Sequence, residues 1–422
     1  MDEVLAKIAE CNEKDCNQLR LGGIKGLTVI PEQVLDVVRL DSLDLGRLEI
    51  TDLSPLAKMP WLKNLNLSGT PVTDLTPLAN LKALRTLNLS NSKVVDLSPL
   101  AGLAALQKLD ISRTEITDIS ILTKLGALEK LNLSQTGVTD ISAFVGLGAL
   151  EELDMQRVAV TDFGPLAGLG ALEDLDISRT DISDLSPLSG LPVLNKLDIT
   201  ETQVNDISPL AGLRMLATLS ASFTPISDLS PLENSRNLYG LYIKGTQVSD
   251  ISPLAGKPFL GNLDISETAV TDIKPLATDV AMKSLQMSKT GVTDISTVAG
   301  MPLLQTLNLK ETKVADISAI SNLENIYNVD LTGTSVSDIS VFAGKQKLSS
   351  LTLIGTAVSD ISPLAGLEKL YGLDLTGTQV SDLSPLFGSP KLRSVTVKDM
   401  PNLDKTQTDK LQEDGVKLRG LE

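Results

Sequence analysis

The chain has 422 residues, a formal net charge of −16 and an aromatic content of only 3%. It contains no His and only two Cys, which excludes histidine-dependent catalysis and zinc sites built from these residues. No apolar stretch approaches the length of a membrane span, and the start MDEVLAKIAE lacks the basic residues and apolar run of an ordinary secretory signal. We therefore expect a protein without a membrane span, a metal site or any other cofactor.

Residues 1–39 are predicted to form a helical cap and a divergent first coil. The helix is indicated by apolar residues at helical spacing in a polar stretch, namely Val4, Leu5, Ile8 and Ala9. The divergent coil is indicated by the apolar residues Leu19, Leu21, Ile24, Leu27 and Ile30. Repeat arrays need such caps because a terminal coil otherwise exposes its core.

Cys11 and Cys16 both lie in this N-terminal segment. Their spacing is compatible with a disulfide but is not specific for one. We expect two reduced cysteines in a small cap.

A 22-residue motif fills residues 40–391 as sixteen consecutive copies without insertion or deletion. The copy that starts at Leu62 has the sequence LKNLNLSGTPVTDLTPLANLKA. A fixed period of this length is typical of a solenoid, in which each coil buries its apolar side only against neighbouring coils. We call each copy a coil and number its positions from 1 to 22.

The first half of each coil predicts a short strand, and the second half predicts a tight turn. In Leu65-Asn66-Leu67 the alternation points the leucines inward, so stacked coils form a parallel sheet on a concave face. The Thr at position 9, present in 13 coils, is predicted to bond the main chain of the adjacent coil. Ser before Pro predicts a single 3₁₀ or helical turn on the convex face, with Ser as N-cap. The predicted fold is therefore an α/β solenoid with gentle curvature.

Position 13 is Asp in all sixteen coils, from Asp52 to Asp382. The chain has 53 acidic residues and 37 Lys plus Arg, so removing these sixteen Asp leaves equal numbers of acidic and basic residues. The net negative charge therefore comes from this one column. A basic footprint for nucleic acid is absent. Stacked carboxylates could hold calcium, but we favour a turn in which each Asp accepts main-chain N–H groups.

Residues 392–422 are predicted to form a terminal strand and a C-terminal cap. The strand is indicated by Leu392, Val395 and Val397. The stretch DKTQTDKLQEDG predicts a short capping helix that ends at Gly415.

The motif Leu-x-x-Leu-x-Leu-x-x-Thr-x-Val-x-Asp-Ile-Ser-Pro-Leu resembles bacterial leucine-rich repeats, most closely the 22-residue internalin-like class. The resemblance covers residues 40–391 and departs from that class by having Thr where Asn is usual at position 9. The segment LRLGGIKGLTVIPEQVL resembles the repeat entry of Roco-type bacterial proteins, although no G-x-x-x-x-G-K-[ST] motif is present. The resemblance implies protein recognition, mostly on the concave sheet face.

The five coils from Leu106 to Met215 place many charged residues at positions 3, 5, 7 and 8, which should face the concave side. We select Arg157, Asp176, Arg179 and Asp198 as candidate partner-binding residues. The other members of this charged face are Lys108, Arg113, Lys130, Glu152, Asp154, Asp174 and Lys196. The alternative interpretation is a solvated face with ion pairs that each contribute little.

The following coils place aromatic residues on the same predicted face. Phe223 occupies position 8, while Tyr242 and Lys244 occupy positions 5 and 7 of the next coil, beside Tyr239. Exposed aromatic residues with a basic neighbour are typical binding anchors, although the rings could instead pack against adjacent coils.

The convex face departs from its pattern in the same region. Position 20, usually Leu, is Ser235, Lys257 and Asp279 in three consecutive coils. Both changes favour this part of the chain as the recognition surface.

We infer a monomeric, non-catalytic scaffold that binds a protein partner through its concave face. Alternatives are an effector that acts on host proteins, the sensor segment of a larger signalling NTPase, and a carbohydrate-binding protein. The expected location is the cytoplasm, or outside the cell after export without a cleavable signal.

Overall fold

The computed structural model describes residues 2–37, 39–400 and 403–421. The chain divides into two compact units, Met1–Val204 and Asn205–Glu422. Each unit is built from the same coil, which contains one three-residue strand and one 3₁₀ helix.

The described part of the first unit contains one α-helix, α1, at Asp2–Glu13 and nine strands. Its strands are β1 Gln18–Arg20, β2 Ser42–Asp44, β3 Asn64–Asn66, β4 Thr86–Asn88, β5 Lys108–Asp110, β6 Lys130–Asn132, β7 Glu152–Asp154, β8 Asp174–Asp176 and β9 Lys196–Asp198. Its 3₁₀ helices are Glu32–Asp36, Ser54–Lys58, Thr76–Leu78, Ser98–Gly102, Ser120–Lys124, Ser142–Gly146, Gly164–Gly168 and Ser186–Leu188.

The described part of the second unit contains ten strands and one α-helix, α2, at Lys405–Glu413. Its strands are β10 Thr218–Ser220, β11 Gly240–Tyr242, β12 Asn262–Asp264, β13 Ser284–Gln286, β14 Thr306–Asn308, β15 Asn328–Asp330, β16 Ser350–Thr352, β17 Gly372–Asp374, β18 Ser394–Thr396 and β19 Lys417–Arg419. Its 3₁₀ helices are Ser208–Gly212, Ser230–Leu232, Ser252–Leu254, Lys274–Leu276, Ser296–Gly300, Ser318–Ile320, Ser340–Phe342, Ser362–Leu364 and Ser384–Leu386.

Within each unit the strands pair in parallel, and equal positions of successive coils lie side by side. Leu65 in β3 is in register with Leu87 in β4, and Leu241 in β11 with Leu263 in β12. The middle residue of each such strand is buried while its two neighbours face outward, as in Asn64–Asn66. This register stacks the leucines into continuous columns, and each fully buried leucine contributes about 1.5–3 kcal/mol relative to an exposed one.

The turn into each 3₁₀ helix is held by the Asp at position 13, as predicted. The main-chain N–H of Ser208 donates to Oδ1 of Asp206 at 2.7 Å, and the hydroxyl of Ser208 donates to Oδ2 at 2.9 Å. All sixteen Asp residues of the column accept an equivalent main-chain bond. The prediction of Ser as N-cap was wrong, because the helix begins at Ser and the capping oxygen comes from Asp two residues earlier.

The Thr at position 9 forms a different bond from the predicted one. Its hydroxyl donates to the position-6 carbonyl of the same coil, as from Thr246 to Ile243 at 2.7 Å. The prediction of a bond to the adjacent coil was wrong, because the chain turns at position 8 and brings Thr back over its own strand. This bond satisfies a buried carbonyl at the end of each strand.

α1 covers the core of the first coils with Val4, Ile8 and Cys11, which are all buried. Leu5 and Ala9, which were also assigned to this face, are exposed because they lie on the outer side of the helix.

Cys11 and Cys16 form a disulfide, so the expectation of reduced cysteines was wrong. The chain reverses after α1 and brings their Cα atoms within 5.0 Å, with the Cys16 N–H bonded to the Cys11 carbonyl.

The second unit ends with β18, α2 and β19. Asp404 accepts the N–H of Thr406 at the start of this helix, and Gly415 adopts a left-handed φ of 82° after it. The sequence did not predict β19, which pairs with β18 and forms the last strand instead of β18. α2 is held to the last coil by Gln407, whose Oε1 accepts the N–H of Leu383 at 2.6 Å.

The position-9 bond can be tested at Thr246, which is buried. Thr246→Val keeps the shape but removes the hydroxyl donor of the Ile243 carbonyl, which then keeps only the main-chain N–H of residue 246 at 3.3 Å. We expect this change to lower the free energy of unfolding by about 0.5–1.5 kcal/mol. Thr246→Ser keeps the hydroxyl and should cost clearly less. Urea denaturation monitored by circular dichroism measures both, and equal destabilisation by Val and Ser would contradict the role of the hydroxyl.

Candidate functional site

The position-5 side chains on the exposed sheet face form a second column of turn bonds that the sequence analysis missed. Oδ1 of Asp176 accepts the N–H of Ser178 at 2.9 Å, and Oδ1 of Asp198 accepts the N–H of Thr200 at 2.8 Å. The signal was present as Asp or Asn two residues before Ser or Thr in many coils. Asp176 and Asp198, both predicted to bind a partner, therefore also hold the turn that follows their strands.

Two of these carboxyls have raised pKa values. Burial is the main cause at both Asp154 and Asp198, and the neighbouring charge of Asp176 adds to it. The bonds from the following residues, Gln156 and Thr200, oppose the increase. The charged face of the first unit thus contains carboxylates that are already partly removed from water.

Several other charges on this face are paired with each other. Lys130 pairs with Glu152, and Lys196 Nζ lies 2.9 Å from Asp174. Arg179 donates to Glu201 at 2.9 Å. These contacts join equal positions of adjacent coils, as the ion-pair interpretation expected. Arg157 is exposed, and in the described part of the chain none of its contacts is an ion pair.

Position 8 has a left-handed backbone throughout the repeat, which explains the frequent glycines there. Gly245, for example, has a φ of 69°. Arg157 and Arg179 have φ values of 57°, and Phe223 has 58°. A bulky residue in this conformation is uncommon and costs about 1–2 kcal/mol. Phe223 is therefore held in a strained backbone at a place where glycine would be relaxed.

In the second unit, the ring of Phe223 lies on Gly245, the position-8 residue of the next coil. A Cβ atom added at Gly245 would come within 2.5 Å of the Phe223 ring, so no larger residue fits beneath it. Nζ of Lys244 lies 5.5 Å from the ring centroid, within the range of a cation–π interaction. The ring is nevertheless 47% exposed, which leaves much of it available for contact.

The two tyrosines also lie on glycines. The ring of Tyr242 covers Gly240 of its own strand, and the ring of Tyr239 covers Gly261 of the next coil. Tyr242 is half-buried, and this burial raises the pKa of its hydroxyl above the usual value. These rings therefore pack on the sheet and remain partly exposed. Local packing and a role as binding anchors are compatible.

A short charge network adjoins the aromatic residues. Nζ of Lys244 lies 3.7 Å from Oε1 of Glu267, and the same oxygen is 3.1 Å from Nζ of Lys289. Since Glu267 is shared between two lysines, the local charge is positive. Phe223, Tyr239, Tyr242 and Lys244 thus form a pre-shaped cluster, which we call the aromatic cluster.

The position-20 residues that the sequence analysis linked to this surface are buried instead. Ser235, Lys257 and Asp279 are 3%, 2% and 1% exposed. Nζ of Lys257 donates to the carbonyls of Leu232 and Glu233 in the preceding coil, so it caps the end of that 3₁₀ helix. These residues are part of the interior, and they do not contribute a second face to a recognition surface.

Asp279 is the least satisfied of these groups. Neither of its carboxyl oxygens has a hydrogen-bond partner among the described residues. Burial raises the pKa of Asp279 to about 7, although the positive charge of Lys257 lowers it in part. The protein therefore carries a buried acid that is close to its titration point at neutral pH.

This burial predicts a specific pH dependence of stability. Folding takes up a proton between the ordinary pKa of 3.8 and about 7, so the free energy of unfolding falls as pH rises through that window. Asp279→Leu, the residue of most coils at this position, should be more stable than wild type at pH 8 by on the order of a few kcal/mol. The difference should shrink toward pH 4 in urea denaturation. Asp279→Asn should also remove the pH dependence, and a difference that does not change with pH would refute the assignment.

Phe223 gives a test of the backbone strain. Phe223→Gly and Phe223→Ala both remove the ring, but only Gly relaxes the left-handed backbone. We expect the Gly variant to be more stable than the Ala variant by about 1 kcal/mol, opposite to the usual order. Urea denaturation of the two variants measures this difference, and a more stable Ala variant would show that no strain is stored.

Comparison with known proteins agrees with this geometry. The family of leucine-rich repeats (2 copies) matches residues 38–80 and 82–124. Each unit has the fold of a leucine-rich-repeat solenoid. The structure of an internalin (InlF) from Listeria monocytogenes is similar, with 29% identity and a TM-score of 0.67 over 70% of this chain and 88% of that chain.

Two further structures share the fold at lower identity. The protein LIC12759 from Leptospira interrogans has 16% identity and a TM-score of 0.79 over 87% of this chain and 98% of its own. The plant peptide hormone receptor RGFR1, solved in complex with RGF2, has 15% identity and a TM-score of 0.62 over 97% of this chain and 80% of its own. Among curated proteins, none matches the sequence of this chain.

Within residues 2–37, 39–400 and 403–421, no group of three or more Cys, Asp or Glu is arranged to hold a metal ion. In the same ranges, no helix combines the length and apolar character needed to cross a membrane.

Proposed function

We propose that this leucine-rich-repeat protein is a non-catalytic scaffold that binds a protein partner through its sheet face. The anchors are the aromatic cluster of the second unit, namely Phe223, Tyr239, Tyr242 and Lys244. The observation that carries this proposal is the placement of three rings on three glycines. Rings held in this way lose little conformational freedom when a partner covers them, which favours affinity.

The conformation of Phe223 supports the same proposal. Most other left-handed position-8 sites hold glycine or a polar residue, whereas this one holds a phenylalanine at a backbone cost. Strain of this kind is often found at binding sites, where the side chain and not stability determines the residue.

The charged face of the first unit is a separate part of the proposal. Arg157, Arg179, Asp176 and Asp198 offer both signs of charge to a partner with complementary polar groups. Since Arg179 is already paired with Glu201, and both aspartates hold turns, Arg157 is the residue of this set with the most freedom to form new contacts.

A non-catalytic role is supported by the structural hydrogen bonds that the carboxylates of the repeat form. The Asp column at position 13 and the acids at position 5 accept main-chain N–H groups in their turns. A recognition role is supported by the shared fold with RGFR1, which was solved with a bound peptide hormone.

We further propose that the protein is a monomer, located in the cytoplasm or exported without a cleavable signal. The strands at the two sheet ends carry cations, with Arg20 in β1 and Lys417 and Arg419 in β19. Like charges at open strand edges oppose edge-to-edge association.

Affinity capture with a variant that returns the site to the common repeat sequence tests the proposal. Phe223→Gly combined with Tyr242→Asn installs residues that other coils have at positions 8 and 5. It should fold at least as well as wild type, because Gly relaxes position 8 and Asn can accept the N–H of residue 244. We expect a protein captured by wild type to be lost with this variant.

Arg157→Gly is the matched control, since it makes the same change at position 8 of the first unit. Loss of the partner with Arg157→Gly but not with the double variant would move the site to the charged face. Equal capture by wild type and both variants would contradict the proposed binding surface.

A further inference from the structure

A second surface of the second unit lies beside the sheet, where the chain returns from the 3₁₀ helix to the strand. It consists of positions 22 and 2 of the coils between Leu238 and Lys391, and we call it the basic flank. Its fourteen residues include four lysines, four aromatic residues and no acid. In a chain with a net charge of −16, this composition is unusual.

The same repeat positions in the first unit have a different composition. Between Leu40 and Val193 the fourteen residues include four acids, Asp41, Glu129, Glu151 and Glu173, and five alanines. The coil therefore does not require lysine or aromatic residues at positions 22 and 2. The lysines and aromatic residues of the basic flank are therefore specific to this surface, and the repeat fold does not need them.

The aromatic side chains of the flank are exposed. Phe259 and Tyr371 are each 57% exposed, and Tyr327 is 44% exposed. Neighbouring aliphatic residues, Val280 at 56% and Leu303 at 43%, add to the apolar area. Aligned apolar side chains of this kind on a soluble surface indicate an interaction site.

The lysines of the flank lack carboxylate partners in the described part of the chain. Lys347 donates to the amide oxygen of Asn325 at 2.7 Å, and Nζ of Lys283 lies 5.8 Å from the centroid of the Tyr239 ring. Lys369 and Lys391 are exposed and form no ion pair among the described residues. The neighbouring acids at position 21 do not pair with these lysines. Glu324 lies 3.8 Å from Lys345, and Glu368 forms no ion pair among the described residues.

The spacing of the flank fits an extended chain. Successive coils are ~4.8 Å apart, so the six steps from Phe259 to Lys391 span roughly 29 Å. An extended peptide of about nine residues covers this length. Its apolar side chains would meet the end of the flank at Phe259 and Leu303, and its carboxylates would meet the end at Lys347, Lys369 and Lys391.

We propose that the basic flank binds an extended acidic peptide segment with apolar side chains in one half and carboxylates in the other. Unpaired lysines recognise the carboxylates, while Phe259, Leu303 and the tyrosines contact the apolar residues. A protein segment fits better than a nucleic acid, because exposed aliphatic residues such as Val280 and Leu303 adjoin the lysines and match apolar side chains. Tyr239 belongs to both surfaces, but the other residues of the basic flank lie outside the aromatic cluster.

Fluorescence anisotropy at low salt tests this proposal with defined probes. The first probe is a labelled peptide of roughly twelve residues with Leu and Phe in one half and Glu in the other. The second replaces every Glu by Lys, and the third is an oligothymidylate of matched length. We expect the full chain to bind the acidic peptide, and not the other two, with an affinity that falls as salt increases.

Lys369→Glu combined with Lys391→Glu should weaken binding of the acidic peptide at least about tenfold. The control is Lys93→Glu combined with Lys313→Glu, which changes the net charge equally at two exposed position-10 residues. Tyr242→Ala in the aromatic cluster should leave this binding unchanged. No binding to wild type, an equal loss with the control pair, or preferential binding of the oligothymidylate would each overturn the proposal.

Discussion

The structure depends on hydrogen bonds that allow every coil to have the same length. In each coil the chain turns from the strand to the 3₁₀ helix and then returns to the next strand. Each turn leaves main-chain N–H and C=O groups that need hydrogen-bond partners. The Asp at position 13 and the Thr at position 9 satisfy two of these turns, while Asp or Asn at position 5 often satisfies a third. Because the period is then constant, equal positions of successive coils form columns, and each surface is a set of such columns.

The same constraint explains what the sequence could and could not predict. The strands, the 3₁₀ turns and the Asp column follow from residues that recur at a fixed position, so the pattern itself indicates their role. The partner of the Thr hydroxyl could not be derived in this way, since position alone does not show whether a side chain bonds its own coil or the next one. β19 was missed for a related reason, because it lies outside the period and is defined only by its pairing with β18.

Candidate binding residues can be selected from the sequence where a residue departs from its column. Phe223 and Tyr242 depart from theirs, and in the structure each ring lies on a glycine. Asp176 and Asp198 do not break theirs, and both form the position-5 turn bond. Ser235, Lys257 and Asp279 also depart from the position-20 column, but all three are buried. A departure at a buried position changes the hydrogen bonds and charges of the core, and it adds nothing to the binding surface. The basic flank was overlooked because its residues are spread over two positions and several coils.

If a protein partner covers the aromatic cluster of the second unit, binding should slow amide exchange there. Hydrogen–deuterium exchange of the protein with and without its captured partner measures this effect. We expect slower exchange in the loops after β10 and β11, around Phe223 and Lys244, with little change in β5–β9. Protection confined to the charged face of the first unit, with unchanged exchange around Phe223 and Lys244, would contradict it.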